Sequence, residues 1–204
     1  MNDKKVFLKN VSELFMFNGA KTLTMDDIAK AFSMSKKTLY QYYKNKEELL
    51  VEVLDFGLNQ TIEQIQMFEK KKDLNAIQKI FFSKSDIKEL CEEAGSIFML
   101  QLIKYYPKIY NAHKLKVYKE ILRIMRKNIE SGRRERLYKE DFSIENYTKF
   151  LLELMFAYDS SVLFEESNAK NWTKHSRKVM LFFLNAIVTP KGYEILKEII
   201  YNEK

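Results

Sequence analysis

In 204 residues the chain has five glycines, two prolines, two histidines and one cysteine. Each scarcity excludes something. So little glycine and proline leaves few of the turns that join strands, while Leu, Lys, Glu, Met and Ile are abundant, so an all-α fold is expected. The lone Cys91 cannot close an internal disulfide, and the opening "MNDKKVFLKNVSELF" lacks the unbroken apolar stretch of a signal peptide. Both fit a cytoplasmic protein. The most apolar run, "VMLFFLNAIV" from Val179 to Val188, is too short for a bilayer, which needs about 20 residues. It is expected in the core or against a partner, with no membrane involved.

Catalytic and metal-binding residue types are equally thin. His113, His175 and Cys91 are too few for most zinc sites, and neither a glycine-rich phosphate loop nor a nucleophile motif occurs. The acidic pairs Glu92 with Glu93 and Glu165 with Glu166 are adjacent residues, whose side chains diverge on a helix and suit solvated faces. No enzyme, metal or cofactor is expected.

What is present is a chain that is 46% apolar with a net charge of +7 and a pI near 9.2. That charge admits nucleic acid or anionic lipid as a partner. Its placement says more: between Lys30 and Lys46 stand Lys30, Lys36, Lys37, Lys44 and Lys46, with no Asp or Glu. The basic density sits on one short stretch, "SMSKKTLYQYYKNK".

Helix signals divide the chain. Phe7, Val11 and Leu14, widened by Phe15, predict an amphipathic helix from about Asp3 to Phe17, stopped by "NG" at Asn18 and Gly19. Thr24 with Asp27 three residues on opens a short helix to about Phe32, and Ser35 caps another from Lys36 to about Tyr42. Asn45 with Glu48 opens a long one through "KEELLVEVLDFGLNQTIEQIQMF". Further helices are expected over about Asp73 to Phe82, Asp86 to Tyr105, Pro107 to Ser131 with a stop at Gly132, Ser143 to Phe164, Asn171 to Ile187, and from Pro190 onward.

Two short helices around the "SMS" turn make a helix-turn-helix layout, in which the second helix enters the DNA major groove. Leu39 and Tyr43 can point inward with Ile28 and Met34, leaving Ser35, Lys36, Lys37, Thr38, Tyr40 and Gln41 outside. Lysine can donate to guanine, threonine can meet the thymine methyl and glutamine can pair with adenine, while tyrosine hydroxyls and Lys46 suit phosphate oxygens. A basic face on its own is more often merely solvated. A membrane-surface helix or an adaptor is the competing reading, but a membrane helix wants one continuous apolar face, and here a turn breaks it.

The stretch "FNGAKTLTMDDIA", the turn "SMS" and "KKTLYQYYKNKEELL" together resemble the N-terminal DNA-binding region of the tetracycline-repressor family of bacterial transcription regulators. Thr24, Ile28, Ala29, Ser35, Thr38, Leu39, Tyr40, Tyr42, Tyr43, Lys46, Glu47 and Leu49 carry the likeness, over about a quarter of the chain. Ser33 departs from it, standing where the family usually has glycine, as does Lys37, where a small residue is common. The resemblance implies a DNA-binding domain over 1–46 and an effector-binding and dimerisation domain over 47–204. It assigns Thr24, Ser35, Lys36, Lys37, Thr38, Tyr40, Gln41, Tyr42 and Lys46 to DNA, with Tyr42 and Lys46 on the backbone.

By the same resemblance, the last two long helices pair with a second copy in a homodimer that binds a palindromic operator, usually as a repressor. The candidate dimer residues are Leu151, Leu154, Met155, Tyr158 and Val162 on one helix and Val179, Phe182, Phe183 and Ala186 on the other. A small, partly hydrophobic effector is expected in the second domain. Its candidate lining is Phe98, Met99, Leu102, Tyr105, His113, Val117, Tyr118, Ile121 and Met125, a pattern that core packing produces equally well.

Overall fold

A computed structural model describes residues 2–85, 97–160 and 172–202. Among these the elements are all helices: α1 (Asn2–Asn18), α2 (Met25–Ala31), α3 (Lys36–Tyr42), α4 (Lys46–Glu69), α5 (Ala76–Ser85), α6 (Ile97–Tyr105), α7 (Pro107–Arg134), α8 (Ile144–Ser160), α9 (Trp172–Ile187) and α10 (Pro190–Asn202). The expected all-α fold is the one observed. Val162, Cys91 and the two glutamate pairs lie outside the described residues, as does the first half of the helix expected from Asp86.

The short helices start where their caps predict. Thr24 Oγ1 accepts the Asp27 N–H at 3.2 Å, and the Asp27 carboxylate accepts the Thr24 N–H at 3.0 Å, a reciprocal capping box. Ser35 Oγ accepts the Thr38 N–H at 3.0 Å. Asn45 Oδ1 accepts the Glu48 N–H at 2.9 Å, while the Glu48 carboxylate reaches back to the Lys44 N–H. Each cap fills donors that a helix end leaves open.

Two starts and stops differ from expectation. Helix α5 begins at Ala76 rather than Asp73, because Asn75 and Gln78 form their own reciprocal cap, each side chain accepting the other's N–H at 3.0 Å. Helix α7 runs through Gly132 to Arg134. Gly132 is not its stop: a Cβ there would meet the Tyr138 ring at 2.2 Å, so the missing side chain admits that ring. The chain turns instead at Arg136, with a φ of 60°, and the Leu137 N–H closes the turn on the Gly132 carbonyl.

Two apolar cores result. The first gathers Val11 and Phe15 of α1, Ile28 of α2, Leu39 of α3, Leu49, Leu50 and Val53 of α4, and Phe98 and Leu102 of α6. The second joins Ile77 of α5, Ile129 of α7, Leu151 of α8, Phe183, Leu184 and Ile187 of α9, and Leu196 of α10. Helix α4 enters the first core with its opening turns only, its buried residues ending at Leu54. Within the second core Asn128 donates to the Ala76 carbonyl at 2.9 Å and accepts the Tyr138 hydroxyl at 3.2 Å, which satisfies the buried amide. No described helix is long and apolar enough to cross a membrane.

Candidate nucleic-acid interface

Helix α3 is anchored by its inward side. Leu39 is fully buried and Tyr43 nearly so, with Ile28 beneath them and Met34 packed against the same core. Phe7 stacks on Tyr43 at 6.1 Å and meets Phe32 edge-on at 5.0 Å, tying α1 to both short helices. The Tyr43 hydroxyl is bound to Glu52, whose carboxylate is also paired with Lys4. Burial and that carboxylate push the Tyr43 phenol well above its usual range. The anchoring hydroxyl stays protonated.

Ser33 makes the turn between α2 and α3 with a φ of 51°, the left-handed region that glycine enters most readily. The Met34 N–H bonds the Ala29 carbonyl at 3.0 Å and holds the turn closed.

The outward side is polar, basic and aromatic. Lys36, Lys37 and Gln41 are exposed, Tyr40 is 41% exposed and Tyr42 is 73% exposed. Lys36 lies 2.9 Å from the Asp26 carboxylate, which holds the ammonium above its ordinary range. The other assigned residues are engaged within the chain. Thr24 and Ser35 serve as caps, and Ser35 shares a 2.7 Å hydroxyl bond with Thr38. The Lys46 ammonium donates to the carbonyls of Lys21 at 3.2 Å and Leu23 at 2.9 Å and stands 5.6 Å from the Tyr106 ring centre. It braces the α1–α2 loop in this structure. Asp26 was not signalled by the sequence, since only the fold brings it to Lys36.

The nine effector candidates are not brought together. Phe98 and Leu102 are buried in the first core with Met99 against it, and Phe98 stacks on Phe15 at 5.5 Å. Met125 belongs to the second core with Ile121 against it. Tyr105 is exposed beneath the Lys21 ammonium, Val117 is half-buried, and Tyr118 donates to Glu145 at 3.3 Å. His113 Nδ1 is buried without a hydrogen-bond partner among the described residues. Burial lowers that imidazole's pKa, with Asp55 opposing and Lys116 adding to the shift.

The dimer candidates divide by exposure. Leu151, Tyr158, Val179 and Phe183 are buried within the chain and Met155 is half-buried. Leu154 (40% exposed), Phe182 (68% exposed) and Ala186 face outward.

Comparison with known proteins agrees with this geometry. Residues 8–53 match the family described as bacterial regulatory proteins, tetR family. Over 50 residues the chain is 42% identical to the uncharacterized HTH-type transcriptional regulator YhgD of Bacillus subtilis (strain 168), covering 24% of this chain and 26% of that relative. The match thus spans about a quarter of the relative's length. The whole fold is similar to that of a transcriptional regulator from Cytophaga hutchinsonii, with a TM-score of 0.74 at 18% identity, covering 93% of this chain and 100% of that one. It is also similar to the reduced form of E. coli NemR, with a TM-score of 0.70 at 15% identity, covering 92% and 98%. Residues 8–53 thus carry a helix-turn-helix head of the tetR family of bacterial regulatory proteins, on a chain whose whole all-helical fold is similar to those of transcriptional regulators.

Proposed function

We propose that this protein is a ligand-responsive transcriptional regulator that binds a palindromic operator as a homodimer and represses until a small, partly hydrophobic effector releases it. The observation that carries the reading is the outward face of α3, where Lys36, Lys37, Tyr40, Gln41 and Tyr42 stand exposed on a helix capped and packed from behind. Seven residues of helix span about 10 Å, which fits a major groove about 12 Å wide. Reading is assigned to residues 1–46 and sensing and pairing to 47–204, with α4 as the joint.

Pairing is assigned to Leu154, Phe182 and Ala186, which give α8 and α9 an apolar outer surface. One α3 reads only a few base pairs, and a twofold pair reads two half-sites about 34 to 36 Å apart. Sensing is assigned to the surroundings of His113, whose buried Nδ1, without a hydrogen-bond partner among the described residues, can orient a polar group of an otherwise apolar ligand.

Random-site selection with the purified chain, followed by footprinting of the selected DNA, tests the reading. A protected near-palindrome is expected, with affinity falling steeply as salt rises. Selection that enriches no sequence at low salt would overturn it.

A further inference from the structure

We propose that Gln101 is a positioning residue that couples the helical bundle to the DNA-reading head through the α1–α2 loop. The proposal rests on the DNA-binding reading and adds a route by which the bundle acts on the head.

Gln101 sits on α6, a helix that packs on α1, α7 and α8. Its Oε1 accepts the Lys21 N–H, and its Nε2 faces Thr22 Oγ1 at 3.4 Å. The side-chain amide lies so close against the loop that a Cβ at Gly19, whose φ is 82°, would meet it at 2.5 Å. From the other side Lys46, the first residue of α4, donates to the carbonyls of Lys21 and Leu23. Residues 21 to 23 are therefore gripped between α6 and α4. The next residue is Thr24, the cap of α2.

Polar and apolar links across this joint respond differently to displacement. The stacked rings of Phe15 and Phe98 tolerate a small slide, because dispersion contacts are many and non-directional. The Gln101 bond does not, since hydrogen bonds weaken steeply with distance and angle. A shift of α6 thus leaves the core packed but releases the loop. Once released, residues 19 to 23 gain freedom that operator binding must remove again, so a signal reaching α6 lowers DNA affinity.

The test uses the full chain with two substitutions, Gln101→Met, which keeps length and loses both polar atoms, and Gln101→Glu, which keeps the acceptor for Lys21. Three quantities are measured: hydrogen exchange of the peptide covering residues 19–23, affinity for the selected DNA, and the urea midpoint. Gln101→Met is expected to speed loop exchange and weaken binding, each about fivefold for one lost hydrogen bond, with the urea midpoint falling by no more than that one bond accounts for. Gln101→Glu is expected to restore both.

Loop exchange and affinity in Gln101→Met equal to wild type would overturn the proposal, as would a fall in the urea midpoint larger than one hydrogen bond accounts for, which would mark a global loss of structure. A wild-type chain that selects no DNA overturns the DNA reading itself. The exchange measurement then decides the loop contact alone: unchanged exchange removes it, and faster exchange in Gln101→Met retains it.

Discussion

Lys36 Nζ stands 2.9 Å from the Asp26 carboxylate, so the first residue of the candidate reading helix is tied to the first turn of the helix before it. If α3 enters the groove as proposed, that carboxylate lies near phosphates and opposes them. Asp26→Asn should therefore tighten binding at low salt by about three- to tenfold, whereas Lys36→Ala should weaken it and lower the salt slope by about one. Anisotropy titrations across a salt series give both quantities. Affinity and slope in Lys36→Ala equal to those of the wild-type chain would remove Lys36 from the interface.

Ser33 holds a φ of 51° at the turn between α2 and α3. A side chain there costs about 1 kcal/mol that glycine does not incur. Ser33→Gly should stabilise the fold by about 1 kcal/mol and raise Tm by about 2 to 4 °C, with little change in DNA affinity. A lower Tm would show that the serine side chain contributes more than its backbone strain costs.

Phe182 and Leu154 bear on the oligomeric state. If they form the face between two copies, Phe182→Glu places a charge in each half of a twofold interface. Two losses of about 2 kcal/mol weaken the dimer about a thousandfold. Analytical ultracentrifugation should then show a monomer at micromolar concentration with a normal helical spectrum. A variant that remains dimeric would move the interface elsewhere.

His113 gives a pH dependence whose sign follows from burial. Its folded pKa lies below the ordinary 6.5, so the fold holds it neutral. Above pH 6.5 neither state is protonated and its contribution is fully present. As pH falls the unfolded chain takes the proton first, and stability is lost down to the folded pKa. Urea midpoints from pH 8 to pH 5 should fall more for the wild-type chain than for His113→Gln. Parallel profiles would mean that the imidazole titrates freely in the fold.

The local parts of this structure were legible in the sequence, and the reason is chemical. Thr24 with Asp27, Ser35, and Asn45 with Glu48 satisfy helix-end donors within three residues of themselves, so no distant partner is needed to read them. The inward set Ile28, Leu39 and Tyr43 follows from spacing on short helices and is buried as expected. What depends on partners far along the chain was not legible. The apolar stripe containing Phe98 and Leu102 looks the same whether it lines a ligand site or meets Phe15, and the fold puts it on Phe15. Lys46 reads as a free cation until the carbonyls of Lys21 and Leu23 are placed beside it. Gln101 carries no signal at all, because its partners are 79 and 80 positions away.

Gly132 shows how a packing requirement weighs on heredity. The Tyr138 ring occupies the space where any other residue would carry its Cβ, and that ring is fixed in turn by its bond to Asn128. In a library covering every position, this site should tolerate almost no replacement, as sharply as any residue on the outward face of α3. Intolerance there would record a shape that admits one residue type, and a map of mutational sensitivity alone would mistake a fitting for a function.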